Sequence, residues 1–310
     1  MTHKIHLDTD LGGDIDDLCA LALLLRWEGV ELTGITTTAE ANGRRAGYVR
    51  HILELEGRSE IPVAAGADVS AGFYHYPELG YPDEERYWSK PVAPLPNPLE
   101  AALELLKQSI EQEATVIAIG PYTNLYLLDL QYPGILTQAN LFLMGGYIYP
   151  VRPDFPQWGN ETDWNIQVDV RSAKHVIEHS SPTLIPLSVT VETALRRAYL
   201  ESLRKAGGLG QLIARQAEAF AVDEQNEIKY GVTCDGLPAD IINFQHDPLA
   251  CAIALGWNDG IEMEEIPLLL EERAGWLYER IHPAGSPVRV ITKIDGPRFN
   301  EFWLSRMMNG

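Results

Sequence analysis

The stretch His6–Leu21, HLDTDLGGDIDDLCAL, places five aspartates within ten positions, between an apolar run typical of a strand and one typical of a helix. Two of the aspartates end the predicted strand and three begin the predicted helix, with two glycines between them that permit a tight turn. The five are Asp8, Asp10, Asp14, Asp16 and Asp17. A strand, a glycine turn and a helix in this order predict the first unit of a parallel α/β sheet.

The same alternation of short β-rich runs and helix-period runs continues along most of the chain. It predicts an α/β fold with a mostly parallel open sheet and helices on both faces. The first predicted elements are strands 4–7, 31–37 and 61–64 and helices 16–27 and 44–55. After residue 247 strand-like runs are divided by turn residues, which predicts a small antiparallel extension of the sheet near the C-terminus. We therefore predict a single domain over residues 1–310.

The chain is strongly acidic, with 24 Lys and Arg against 44 Asp and Glu and a formal charge of −20. This charge repels phosphate backbones and argues against a nucleic-acid partner. The longest apolar run, Leu18–Leu25, is far shorter than the roughly 20 residues of a membrane span, and the N-terminal residues lack a signal-peptide core. Three cysteines without metal-like spacing predict buried thiols and a cytoplasmic location.

Helix capping explains only part of the aspartate cluster. An aspartate at a helix N-terminus contributes about 0.3 to 1 kcal/mol, which accounts for one or two of the five. Two unit charges about 4 Å apart repel by roughly 4 kcal/mol at an effective dielectric of 20. The cluster should therefore take up protons or hold a cation, and we predict a bound divalent ion.

The type of ion follows from the ligand atoms. A cluster that offers only oxygen favours calcium or magnesium over zinc. An EF-hand is excluded, because a loop begun at Asp8 would need a carboxylate at its fifth position and a glutamate at its twelfth. Gly12 and Cys19 stand at those positions.

A phosphatase of the haloacid dehalogenase type is an alternative, with Asp8 as nucleophile and Asp10 as acid. The Asp-Thr-Asp sequence after a strand suits it. That family, however, expects a threonine where Gly12 stands, and a later lysine and Gly-Asp motif that we do not find.

Polar segments follow several other predicted strands. They read TTTAEANG, GPYTN, MGGYI leading to WGNETDWNI, and FQHDPLA. Alone, Thr123-Asn124 or His246-Asp247 could be helix caps. Because ligands gather at the carboxyl ends of parallel strands, we expect these segments to converge on one edge of the sheet.

Three of these motifs, DTDLGGDIDDLCAL, GPYTNL and HDPLACA, occur in the order found in inosine-uridine-preferring nucleoside hydrolases. That family is marked by Asp-x-Asp-Pro-Gly-x-Asp-Asp, Gly-Pro-Leu-Thr-Asn and His-Asp-Pro-Leu-Ala. The chain resembles the family from about residue 4 to its end, also in IPVAAGA, MGG and WNIQVD. The resemblance implies a Rossmann-like fold, a homo-oligomer, and calcium-dependent hydrolysis of ribonucleosides to base and ribose in salvage or catabolism.

The resemblance also implies the calcium ligands. Asp10, the main-chain carbonyl of Thr123 and Asp247 carry over directly. The aspartate signature is two residues longer than its commonest form, so the second aspartate ligand depends on the alignment. Anchoring on the helix makes Asp17 the ligand and Asp16 a ribose contact, whereas counting from the strand would place Ile15, which cannot coordinate, at the ligand position.

Further residues are implied to bind ribose. The family's asparagine after the second strand corresponds to Asn42, although the spacing leaves Glu40 open. A later asparagine corresponds to Asn160. The family's Glu-Phe-Asn triplet corresponds to Asp163-Trp164-Asn165, with aspartate in place of glutamate and a shorter spacer, so Asp163 and Asn165 are the expected contacts.

Hydrolysis of the N-ribosidic bond requires a general base that activates water and a group that helps the nucleobase leave. By analogy with glycoside hydrolysis, an oxocarbenium-like sugar forms while Asp10 takes the proton of the attacking water. His246 is the first choice for the group that donates a proton or a hydrogen bond to the leaving nucleobase. His75 and Tyr230 are expected to contact the nucleobase as well. His75 lies in a loop rich in aromatic residues that we predict to close over the base.

A non-enzymatic alternative is a calcium-dependent nucleoside-binding protein that has the pocket but no turnover. The presence of Asp10 argues against it. The sequence leaves the preferred nucleobase open, including modified and deazapurine bases.

Overall fold

A computed structural model describes residues 2–69 and 84–309 of the chain. The strands are β1 (His3–Thr9), β2 (Val30–Thr37), β3 (Val63–Ala65), β4 (Thr115–Ala118), β5 (Asn140–Met144), β6 (Thr183–Ile185), β7 (Leu195–Arg196), β8 (Ile241–Asn243), β9 (Glu262–Arg273), β10 (Trp276–Ile281) and β11 (Ser286–Lys293). The helices are α1 (Asp16–Leu25), α2 (Arg44–Leu55), α3 (Glu84–Tyr87), α4 (Leu99–Glu111), α5 (Thr123–Gln131), α6 (Trp164–Gln167), α7 (Val170–Glu178), α8 (Leu187–Thr190), α9 (Leu200–Lys205), α10 (Gly207–Glu224), α11 (His246–Ala254) and α12 (Gly296–Met308).

Within the described ranges, nine strands form one sheet in the order β10-β9-β11-β6-β5-β4-β1-β2-β3. All pairs from β3 to β6 are parallel, and β11 adds to β6 in parallel as well. Strand β9 pairs with β11 in antiparallel orientation, and β10 pairs with β9 in the same way at the edge of the sheet. A mostly parallel sheet with an antiparallel extension from the C-terminal region, as predicted, is confirmed.

The sheet has a topological switch point between β1 and β4. The chain runs outward from β1 through β2 to β3, and then returns to place β4 on the other side of β1. In open α/β sheets the crevice at such a point, outside the carboxyl ends of the strands, is where ligands bind. The aspartate-rich loop follows β1 at this point.

Alternating side chains of the central strands face two apolar cores. On β4, Ile117 belongs to the core that includes α1, α2 and α10 to α12, whereas Val116 and Ala118 belong to the core with α4, α5 and α7. This alternation follows from the two-residue period of a strand. Helices therefore cover both faces, as the sequence pattern predicts.

Helix α1 is buried along almost its whole length. Its residues from Asp16 to Leu24 are buried, and the helix packs against α11 and α12. A helix that is apolar all round must be covered on every side. This packing brings the start of α1 close to the start of α11, although the two lie at opposite ends of the sequence.

The prediction of buried thiols is confirmed for two of the three cysteines and is wrong for the third. Cys19 and Cys251 are buried, in α1 and α11, whereas Cys234 is partly exposed. Among the described residues, no helix combines the length and apolar character that crossing a bilayer requires.

Candidate active site

A cavity of about 650 Å³ opens at the switch point. We call it the acidic cavity, because its wall contains six aspartates and a single arginine among the described residues. The predicted site residues that line it are Asp10, Asp16, Asp17, Asp163, Asn165, Tyr230, His246 and Asp247. The structure therefore brings together groups from the β1–α1 loop, the segment before α6, and the start of α11.

Three carboxylates form the centre of the site. Asp16, Asp17 and Asp247 are buried, and one oxygen atom of each lies within 4.8 Å of the others. The backbone N–H of Asp247 donates to Asp16 Oδ2 at 3.3 Å, which ties α11 to α1. Thr9 donates its hydroxyl proton to Asp17 Oδ1.

The charge of this trio is unbalanced within the described part of the chain. Burial, followed by repulsion from neighbouring aspartates, raises the pKa of Asp16 and Asp247 well above the usual range, and burial with the charge of Asp10 does the same for Asp17. A bound cation would remove this repulsion. The donor set consists of carboxylate oxygens, which fits a hard ion such as calcium or magnesium.

Asp10 lies beside the trio at the end of β1. Its Oδ2 accepts a hydrogen bond from Trp164 Nε1 at 3.3 Å. The turn after β4 contacts it from the other side, since a Cβ atom added to Gly120 would lie 2.8 Å from Asp10 Oδ1. Burial raises the pKa of Asp10, while the Arg45 guanidinium acts in the opposite direction. Only a glycine leaves room for this approach of the two loops.

Arg45 is a site residue that the sequence analysis missed. It is buried on α2, lines the acidic cavity, and donates to the carbonyl oxygens of Ala39, Asp10 and Leu11. These bonds hold the β1–α1 loop against the segment after β2. A single arginine in the first turn of a predicted helix carries no sequence signal that distinguishes it from a solvated surface residue.

Asp8 is buried below the cavity and not in its wall. Its Oδ1 accepts from Thr36 Oγ1 at 2.6 Å and from Asn124 Nδ2 at 2.7 Å, while its Oδ2 has no hydrogen-bond partner in the described structure. Burial raises its pKa to about 7. Asp8 thus links β1, β2 and α5 under the site.

Thr123 begins α5 directly after the turn that contacts Asp10. Its hydroxyl donates to Asp169 Oδ2 at 2.6 Å, away from the acidic cavity. The prediction concerns only its main-chain carbonyl, and Thr123 does not line the cavity.

Asn42 and Glu40, the two alternatives for the asparagine after β2, both lie outside the cavity wall. Asn42 is exposed, and its backbone N–H donates to Asp68 Oδ2 at 2.7 Å. Glu40 is buried and accepts from Thr37 Oγ1 at 2.6 Å and from the backbone N–H of Ala46 at 2.8 Å. Glu40 therefore stabilises the start of α2.

Asp163, directly before α6, and Asn165, within α6, line the cavity, whereas Asn160 does not. Asp163 accepts from the backbone N–H groups of Gly146 and Ile166, and burial raises its pKa to about 6. Asn165 donates to the carbonyl oxygens of Ile119 and Met144 at 2.9 and 3.1 Å. Asn160 instead donates to Leu277 O on β10 at 3.2 Å and does not line the cavity.

Aromatic side chains in contact with one another form part of the cavity, and we call them the aromatic wall. Trp158 packs edge-on against Phe244 and Tyr230, with ring centroids 4.9 and 5.4 Å apart. Phe244 stacks on His246 at 5.4 Å. Tyr230 lies in a π-helical turn, Glu227–Gly231. Sequence reasoning identified Tyr230 and His246, whereas Trp158 was hidden in an irregular segment.

His246 is the first residue of α11, and its ring is held by Thr190. Its Nδ1 lies 2.7 Å from Thr190 Oγ1. Burial lowers the pKa of His246, so the imidazole is neutral at pH 7. When Nδ1 accepts the Thr190 hydroxyl proton, Nε2 carries the ring N–H and can donate it. His75, the other predicted histidine contact, lies outside the described residues.

The chain matches one protein family and its curated members over most of its length. The family model described as inosine-uridine preferring nucleoside hydrolase matches residues 5–301. The pyrimidine-specific ribonucleoside hydrolase RihA of Salmonella arizonae is 30% identical over 267 residues, which is 82% of this chain and 79% of that protein.

Solved structures share the fold. The plant nucleoside hydrolase PpNRh1 has a TM-score of 0.79 at 18% identity, covering 100% of both chains. A purine-preferring ribonucleoside hydrolase from Gardnerella vaginalis has a TM-score of 0.74 at 22% identity, covering 98% of each chain. The inosine-uridine preferring enzyme of Bacillus anthracis has a TM-score of 0.70 at 22% identity over 100% of both. The chain therefore belongs to the inosine-uridine preferring nucleoside hydrolase family of ribonucleoside N-glycosyl hydrolases.

Proposed function

We propose that this chain hydrolyses the N-ribosidic bond of ribonucleosides with the help of a calcium ion, in nucleoside salvage or catabolism in the cytoplasm, as a homo-oligomer. The convergence of Asp16, Asp17 and Asp247 beside Asp10 carries the proposal. Four carboxylates at the open end of a sheet are costly to bury without a cation and a polar ligand.

We assign Asp10, Asp17, Asp247 and the Thr123 carbonyl as the calcium ligands. Asp16 is assigned as the group that accepts a hydrogen bond from a ribose hydroxyl. When bound, calcium would hold the ribose hydroxyls and the attacking water in place and offset the charge of the carboxylates. The contact between Asp16 and the backbone of Asp247 supports a role for Asp16 at the same centre.

Asp10 is proposed to take the proton of the attacking water. Its carboxylate faces the cavity, and the Trp164 N–H holds its Oδ2. This bond orients the carboxylate, and a positioned base of this kind typically contributes about 10²- to 10⁴-fold to a rate.

The residues that line the cavity suit both parts of a nucleoside. Asp163 and Asn165 can accept hydrogen bonds from ribose hydroxyls, since the NH₂ group of Asn165 already donates to two carbonyl oxygens. Trp158, Tyr230 and His246 provide rings on which an aromatic base can stack. A ribonucleoside with its sugar at the carboxylates therefore places its base against the aromatic wall.

Replacing His246 with alanine is expected to slow the turnover of natural nucleosides by about 10²- to 10⁴-fold. The neutral imidazole can donate a hydrogen bond to the departing base, and alanine cannot. The turnover of p-nitrophenyl riboside should change little, because its leaving group departs without a proton. The measurement is the kcat of both substrates for the two proteins.

The comparison of the two substrates decides the role of His246. If both slow equally, His246 positions the ribose or supports Asp247, and the acid must be sought at Tyr230, at His75 or in water. Thr190→Val, which removes the hydroxyl that holds the ring, should give a smaller loss in the same direction.

Nucleoside 5′-monophosphates are expected to be poor substrates. The cavity wall contains six aspartates among its described residues, and its Arg45 guanidinium is already engaged by carbonyl oxygens. Repulsion of a phosphate dianion by one carboxylate about 8 Å away costs roughly 4 kcal/mol at an effective dielectric of 20, or about 10³-fold in kcat/KM. Assays of inosine against its monophosphate test this, and equal kcat/KM values would contradict it.

A screen of ribonucleosides for free reducing sugar, with and without a chelator, tests the proposed function directly. Release of ribose that stops on chelation and returns with calcium supports it. Binding of nucleosides without ribose release would favour the nucleoside-binding alternative. Release of inorganic phosphate from phosphate esters would favour the phosphatase alternative.

A further inference from the structure

A second cavity, of about 340 Å³, adjoins the acidic cavity at the aromatic wall, and we call it the side cavity. Gly13, Asp14, Trp158, Tyr230 and His246 line both cavities. The two spaces therefore meet at the place proposed for the nucleobase, and the side cavity continues away from the carboxylate trio.

The polar groups of the side cavity are oriented by their own hydrogen bonds. Asn243 is buried and donates its Nδ2–H to Asp14 Oδ1. Asn226 is also buried and donates its Nδ2–H to Ile242 O at 3.1 Å. Carboxylate and carbonyl oxygens only accept, so each amide must turn its NH₂ group toward them. This orientation leaves the Oδ1 atom of each asparagine, together with its second N–H, for a ligand.

The charged side chains around the side cavity also favour hydrogen-bond donors. Asp14 and Glu224 line it, and Glu224 is paired at 3.2 Å with Lys229 at the exposed surface. Carboxylates and amide oxygens together make a wall that accepts hydrogen bonds. Such a wall favours N–H donors and disfavours carbonyl oxygens and anionic bases.

The rest of the side cavity is aromatic. Phe220 and Phe244 line it together with Trp158 and Tyr230. Aromatic faces and edges suit a flat ring, and base–aromatic stacking contributes for every base regardless of its substituents. Stacking therefore supplies affinity for any planar ring, while the hydrogen-bond acceptors determine which nucleobase is preferred.

We propose that the side cavity is the distal part of the nucleobase site and selects amino-substituted purine ribonucleosides, such as those of adenine or 2,6-diaminopurine. The bicyclic ring reaches beyond the aromatic wall, and its amino group donates to Asn226 Oδ1 or Asn243 Oδ1. Hypoxanthine presents a carbonyl oxygen at the corresponding position, and pyrimidines are one ring smaller. The inference rests on the proposed hydrolysis of ribonucleosides.

The test compares 2,6-diaminopurine riboside with unsubstituted purine riboside in the wild type and in Asn226→Leu. The measured quantity is the ratio of the two kcat/KM values. The two purines differ as leaving groups in both proteins alike, so comparing the ratio between the wild type and Asn226→Leu removes that intrinsic difference. We expect this ratio to fall by about 3- to 10-fold in Asn226→Leu, since one hydrogen-bond acceptor is lost.

Two matched variants of α10 provide a second measurement if Asn226→Leu fails to fold. Glu224→Gln removes a charge from the side cavity and should lower the same ratio, whereas Glu218→Gln removes a charge from a surface ion pair with Arg204 and should leave it unchanged. Uridine and inosine complete the panel. The wild type should cleave both with a lower kcat/KM than adenosine.

An unchanged ratio in both Asn226→Leu and Glu224→Gln would overturn the inference, as would a wild-type preference for uridine over every purine. In either case ribose release would still support the proposed function. If the wild type releases ribose from no nucleoside, the proposed function itself fails, and the two failures are therefore distinguishable.

Discussion

Substitution of Asp10 by asparagine is expected to lower the kcat of nucleoside hydrolysis by about 10²- to 10⁴-fold, while the protein folds as before. An asparagine oxygen can still accept the hydrogen bond from Trp164, so the side chain keeps its place. The amide, however, cannot take a proton from water at neutral pH. Steady-state rates of ribose release and the thermal unfolding midpoint of the variant measure the two parts of this expectation.

Asp259→Asn is the matched control for this substitution. Asp259 is exposed, 3.8 Å from Arg298, far from the site in the fold, and its variant should retain the wild-type rate. A rate for Asp10→Asn within tenfold of the wild type would show that another group takes the proton. Asp16, the neighbouring carboxylate in the same cavity, would then be the next candidate.

Replacement of Asp247 by alanine should abolish both calcium binding and activity. Asp247 supplies one of the three carboxylates that meet within 4.8 Å, and the other two cannot hold a hard cation well alone. We expect activity to fall by at least about 10³-fold, the scale on which a lost electrostatic contact at a reaction centre acts. Calcium content after dialysis, together with ribose release, gives the result.

The same variant separates a metal site from a purely structural cluster. In metal-free protein, removing one of three mutually repelling carboxylates should leave the unfolding midpoint unchanged or raised. Added calcium should stabilise the wild type by about 2.7 kcal/mol at 100 times its dissociation constant, and should not stabilise the variant. Full activity of calcium-free Asp247→Ala protein would contradict the proposed site.

The periodicity of the sequence predicts most of the architecture. Helix α2 was expected over 44–55 and occupies Arg44–Leu55, and β2 differs from its expected range by one residue at its start. The apolar run of residues 184–187 by itself predicts a strand through Leu187, whereas β6 ends at Ile185 and Leu187 begins α8. The boundary shifts because Pro186 cannot donate to a strand ladder and is well placed before a helix.

The residues of the site were predictable where they stand next to a strand end or a helix start. Asp10, Asp17 and Asp247 are of this kind, and the acidic cavity contains all three. Trp158 and Arg45 were not, because their place in the wall depends on how an irregular segment and the first turn of α2 pack. Such tertiary contacts leave no periodic trace in the sequence.

Asn42 is predicted to bind ribose, and in the structure it is exposed and does not line the cavity. Its φ of +52° places it in the left-handed region at the end of a turn, and the side chain is exposed. Asparagine is one of the few residues that tolerate this conformation. Its occurrence there is explained by the turn itself, without a ligand.

The position of β11 has a consequence for how the chain is synthesised. This strand lies between β6 and the β9–β10 hairpin, although it is the last strand in the sequence. While translation proceeds, β6 has an unpaired edge until Ser286–Lys293 emerges, and Leu184 and Ile185 at that edge are fully buried in the finished fold. A nascent or truncated chain would thus expose an apolar strand edge that pairs readily with other chains, so the C-terminal strands protect the fold against aggregation.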